Sequence, residues 1–168
     1  MVVSTALQTL NINPITTVAA LKAGFKASTD GTSVVANTDT ALVTKINTAN
    51  TAVAKALLGS TASAADLLTT EVKPTVNLNG SPNGSANLYG KMLAVLSGMD
   101  SANGGNVSQT LSTLVTGIDS SGTLSSTLQT AVKSAATTAG VVVSELPSSA
   151  TGGSSTSGDN TSGGGSTG

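Results

Sequence analysis

Eight carboxylates and seven lysines supply nearly all the strongly charged chemistry of this 168-residue chain, because it contains no cysteine, histidine, arginine or tryptophan. Paired carboxylates could do general acid–base work, but Asp39, Asp66, Glu71 and Glu145 are spread along different parts of the predicted helices, so a pair would depend on tertiary contact. Serine is plentiful, yet no imidazole exists to activate it. A Ser–Lys arrangement using Lys22, Lys45, Lys91 or Lys133 is the remaining nucleophilic scheme, and no serine is marked out beside any of them. Asp100 and Asp119 each open a glycine-containing loop and invite a calcium reading. From Asp119, the following positions are Ser121, Thr123, Ser125 and Thr130, without a second carboxylate or a closing Glu. From Asp100 they are Ala102 and Gly104, which are worse ligands, so both aspartates read as caps of turns or helices. The expectation is no catalytic residue, no cofactor and no metal.

Two aromatic side chains remain as candidate interaction residues, Tyr89 and Phe25. Tyr89 reads as an amphipathic anchor with a packed ring and a wet hydroxyl. Charged residues make up only 9% of the chain against about 25% in an ordinary domain, and net charge is −1. That balance gives no footprint for phosphates, and two aromatics give no stacking platform, so nucleic acid is excluded as a partner. No apolar run approaches the ~18 residues of a membrane span. The N-terminal stretch also lacks the basic region and apolar core of a signal peptide, so an exported form would be a fragment, a mature form or the user of another signal.

The elements that would position these residues are helical. Apolar residues recur every three or four positions, which outweighs the strand preference of the many Thr and Val residues. Residues 1–12 read as an extended arm or short strand. Asn13-Pro14 opens a helix with Ile15, Val18, Leu21 and Phe25 on one stripe, ending at residues 28–31. Asn37, Thr38 or Asp39 caps a second helix with Leu42, Ile46, Ala49, Val53 and Leu57 inward, stopped by Gly59. Ser63 and Asp66 open a short third, expected to end at Lys73-Pro74. A loop over 75–85 is expected to kink at Asn79-Gly80 or Asn83-Gly84. Further helices are expected over 86–99, 107–118 and 124–139, with residues 141–146 extending the last or forming a brief strand. The fold class is therefore all-α: a compact bundle of five or six short helices over residues 13–146, followed by a flexible Gly/Ser-rich tail over 147–168 that lacks the apolar residues to order itself.

Three segments, taken together, resemble a helical module of large bacterial surface proteins and lipoproteins. They are Asn11-Ile-Asn-Pro-Ile-Thr-Thr-Val-Ala-Ala-Leu21, then Lys55-Ala-Leu-Leu-Gly59 with Asp66-Leu-Leu-Thr69, and Asn87-Leu-Tyr-Gly-Lys-Met-Leu with Gly117-Ile-Asp-Ser-Ser-Gly. The resemblance covers roughly residues 11–146 and implies a cell-surface or extracellular location. It also implies neighbouring immunoglobulin-like or carboxypeptidase-regulatory-like domains and an architectural role without catalytic residues. The expected function is a non-enzymatic structural or interaction module whose partners are adjacent domains of the same protein or identical subunits. Two alternatives stand beside it: a self-assembling subunit of a fibre or surface layer, and an adhesin-like module binding a glycan through Phe25 or Tyr89.

Overall fold

The computed structural model describes residues 11–25 and 40–153. Among them lie seven α-helices and one 3-10 turn: α1 (Pro14–Lys22), α2 (Thr40–Leu58), α3 (Ala64–Thr69), α4 (Leu88–Ala102), α5 (Val107–Gly117), α6 (Ser126–Thr138), a 3-10 turn over Val143–Glu145, and α7 (Ser148–Thr151). The all-α expectation holds. Residues 1–10 of the arm expected over 1–12, the cap at 37–39, the helix end expected at 28–31 and the tail beyond residue 153 lie outside the described residues. None of the described helices is long and apolar enough to cross a membrane.

Helix starts follow the polar side chains that precede them. Asn13 Oδ1 accepts from the amides of Ile15 and Thr16 at 3.0 and 3.2 Å, and Thr16 Oγ1 accepts from Asn13 N, a reciprocal box with Pro14 at the first position. Ser63 and Asp66 make the same exchange at the start of α3, where Asp66 Oδ2 accepts from Ser63 N at 2.8 Å. That hydrogen bond from the Ser63 backbone, reinforced by the Ser63 hydroxyl, lowers the Asp66 carboxyl below its usual value. Asn87, Asn106 and Ser125 cap α4, α5 and α6.

α4 packs most extensively against α6, and α1 against α2. The core is aliphatic apart from Tyr89 and two methionines. Ile15, Val53, Leu57, Met92, Val95, Leu114 and Val132 are fully buried, with Ala54, Ala56 and Ala136 between them. Small residues let the helices approach closely. A Cβ on Gly98 of α4 would lie 2.7 Å from the Ala135 carbonyl oxygen on α6. One on Gly90 would lie 1.8 Å from the Lys73 carbonyl oxygen, so only glycine admits the chain entering α4.

Four boundaries depart from the sequence expectation. α1 stops at Lys22, because Gly24 turns the backbone to φ +95°, which frees Phe25 from the apolar stripe and leaves it 43% exposed. α3 ends at Thr69 rather than at Lys73-Pro74. Residues 143–145 form a 3-10 turn instead of extending α6 or making a strand. The folded domain also runs past Leu146: α7 packs on α2 and α6, burying Ala150 completely and Thr151 nearly so, and Gly152 closes it in the left-handed conformation. Placing the start of the tail at residue 147 misses this helix, since four residues of Ser-Ser-Ala-Thr carry no periodicity to read.

Candidate functional site

The charged groups named from the sequence are mostly engaged in structure. Lys22 Nζ donates to the Ile118 carbonyl, joining the ends of α1 and α5. Lys91 pairs with Glu145 at 3.3 Å and Lys73 with Glu71 at 3.9 Å. Lys45 and Lys133 lie on exposed positions of α2 and α6. Asp100 faces Thr110 Oγ1 at 3.4 Å, and Thr110 also accepts from Asn103 Nδ2 at 2.8 Å. Among the described residues, no group of three or more acidic, histidine or cysteine side chains could hold a metal ion.

Tyr89 is not a wetted anchor. It is 1% exposed; its hydroxyl donates to the Leu67 carbonyl at 2.9 Å and accepts from Asn13 Nδ2 at 3.1 Å. Burial raises the phenol above its ordinary pKa, opposed by the hydrogen bond from Asn13. The group therefore ties α1, α3 and α4 together and offers no surface to a partner. Phe25 is exposed while Tyr89 is interior, so the two aromatics form no joint platform for a glycan.

Among the described residues, three surfaces stand out. The first is the hairpin between α3 and α4. An antiparallel bridge joins Val76 to Pro82, Asn77 N donates to Ser81 O at 2.8 Å, and Gly80 turns the tip at φ +79°. Asparagine amides brace it: Asn77 Nδ2 donates to Pro82 O at 3.1 Å, Asn79 Oδ1 accepts from Ser81 N at 3.0 Å, and Asn83 Nδ2 donates to Pro74 O at 2.8 Å. Asn87, the cap of α4, also accepts from Lys73 N and donates to Glu71 O, fastening the hairpin's base to the bundle. This frame holds Leu78 fully exposed at the tip, with Val76 54% exposed below it.

The second is an apolar groove of about 330 Å³ between α4 and α5, floored by Leu96 and Leu114 and walled by Leu93, Leu111 and the half-exposed Val107. The third is a polar cleft of about 510 Å³ where the end of α2, the turn before α6, and α7 meet; Lys55, Thr123, Gln129 and Ser149 line it. The turn is organised by Asp119. Its Oδ1 accepts from the Ser121 hydroxyl at 2.6 Å and from the amides of Ser121 and Thr123 at 2.8 Å each. Those bonds, the Ser121 hydroxyl foremost, lower the Asp119 carboxyl below its usual value. Through Oδ1, Asp119 thus caps the turn that leads into α6.

Neither the hairpin's presentation of Leu78 nor the cleft is visible in the sequence. The Asn-Gly signals mark a kink in the right place, but nothing local reports that Leu78 points away from the bundle. The cleft joins side chains from well-separated segments. Comparison with known proteins finds no matching family model, no similar curated protein and no similar solved structure.

Proposed function

We propose that this chain is a non-enzymatic interaction module of a bacterial cell-surface or secreted protein, docking against an adjacent domain or an identical subunit. The observation that carries the reading is the braced hairpin. A leucine held fully exposed on a loop fixed by three asparagines is already ordered before it meets a partner, which lowers the entropic cost of docking. The engagement of Lys22, Lys91, Asp66 and Asp119 in structural bonds favours a binding role over a catalytic one. The location is what the three resembling segments imply.

A second reading, self-assembly into a fibre or surface layer, is favoured by the apolar groove. Leu78 of one copy seated between Leu93 and Leu111 of the next is a head-to-tail contact between different faces, and such contacts propagate into rings or filaments. A net charge of −1 offers little repulsion between copies. A photo-crosslinking residue placed at position 78 in the producing cell tests both readings. An adduct in exported material to a different domain supports the module, and an adduct to the α4–α5 surface of another copy supports assembly. No adduct, or adducts confined to the cytosol, overturns both.

A further inference from the structure

The polar cleft has a directional hydrogen-bond pattern that defines its ligand. An ionised carboxylate only accepts, so the Ser121 hydroxyl must give its single proton to Asp119 Oδ1 across 2.6 Å. Ser121 Oγ and Thr123 Oγ1 are 2.9 Å apart, and with the Ser121 proton committed, Thr123 must be the donor between them. The relay therefore runs from Thr123 to Ser121 to Asp119 and leaves Thr123 Oγ1 with lone pairs alone to present. Gln129 spends an amide proton on Leu124 O at 3.0 Å. On the facing wall Lys55 makes no ion pair or hydrogen bond among the described residues, and among them its ammonium is the one charge lining the cleft. Ser149 Oγ, on the α7 side, is buried and has no hydrogen-bond partner among the described residues. A buried hydroxyl left unpaired in a folded protein calls for an explanation.

The walls are held in register by close contact. Gly122 is at φ +88°, and a Cβ on it would lie 2.7 Å from both the Ala52 carbonyl oxygen and Lys55 Cβ. The turn carrying Thr123 is thus pressed directly onto the stem of Lys55. A ligand matching these walls needs an anionic oxygen for the ammonium and, close to it, a hydroxyl able to donate. We propose that this cleft binds a hydroxylated carboxylate of the uronic-acid class, with the carboxylate on Lys55 Nζ and a ring hydroxyl donating to Thr123 Oγ1. Charge and hydroxyl polarity do the recognition, so no aromatic platform is required, and the site does not depend on the role of Leu78.

The test is an amide-detected NMR titration of the whole chain with glucuronate, glucose and acetate in parallel. Glucuronate is expected to shift the amides of residues 121–123 and 148–153, with glucose and acetate each at least roughly tenfold weaker, since each lacks one half of the match. Lys55→Gln, at a partly exposed position, is expected to weaken glucuronate binding roughly tenfold while leaving the thermal midpoint in place. Thr123→Val is expected to bring glucuronate down to the level of acetate. Glucuronate binding no tighter than glucose or acetate, shifts mapping away from these residues, or full affinity in Lys55→Gln would each overturn the proposal.

Discussion

The two ends of α4 are made rigid by opposite means. At its C-terminal half the helix lies against α6 through missing atoms: Gly98 brings the backbone onto Ala135, and the buried side chains there belong to the apolar core. At its N-terminus it joins the hairpin base and α3 through added polar atoms, the Asn87 amide and the Tyr89 hydroxyl, while the amides of Asn77 and Asn83 brace the hairpin itself. The first region excludes water; the second, apart from Tyr89, stands largely in it. A chain without tryptophan or disulfides can thus obtain order either from closeness or from side-chain-to-backbone hydrogen bonds. It uses the second means where a loop must be held without being buried.

The two regions meet at Gly90, and the sharpest way to break the comparison is to add a methyl group there. Gly90→Ala drives a Cβ into the Lys73 carbonyl, a backbone atom that cannot rotate aside, and is expected to cost about 3 kcal/mol, the upper end for overpacking. Gly98→Ala meets a looser contact of 2.7 Å and recovers some helix propensity, so a cost of about 1 kcal/mol is expected. Urea denaturation of both variants measures the difference. Equal costs would mean that the corner is no more tightly determined than the helix crossing.

Next in size is Tyr89→Phe, which keeps the ring and removes the hydroxyl. It leaves the Leu67 carbonyl only the longer bond from Asn11 Nδ2 at 3.5 Å and removes the tie to Asn13, at an expected cost of about 1–2 kcal/mol. A neutral result would show that the corner rests on ring packing alone, and the contrast with the aliphatic crossing would disappear. The smallest effect concerns pH. Because folding lowers the Asp119 carboxyl, its bonds stabilise the fold above the ordinary carboxylate pKa, near about 4. That contribution is lost as pH falls through this value toward the folded one. Thermal melts of Asp119→Asn are therefore expected to decline less steeply on acidification than the wild type, though Asp66, shifted the same way, keeps some of the slope. Parallel slopes would show that the turn draws its order from elsewhere.

What is readable in the sequence is local. Asn13-Pro14, the Ser63–Asp66 pair and Gly59 announce their caps and stops within four residues, and the stripe Ala49, Val53, Leu57 announces its buried face. What escapes is either too short or too distant. α7 has one buried alanine in four residues, which no pattern can reveal. The Tyr89 hydroxyl finds Asn13 across 76 positions, and nothing near either residue records the partner. Phe25 departs from its expected place for another reason: the apolar periodicity carries on past Ala23-Gly24, whereas the backbone turns there. The Lys55 cleft is legible only once Gly122 has pressed its turn onto α2.

α7 also decides how the domain bears a load. Tension applied to the chain beyond Gly153 reaches first a four-residue helix closed by bonds from Ala150 and Thr151 to Pro147 O and from Gly152 to Ser148 O. These bonds lie along one short turn and break in succession, as in peeling, while Ala150 is drawn out of its buried seat. The α4–α6 crossing lies further along the chain from that end, so a pull on the C-terminus loads this short clasp before it.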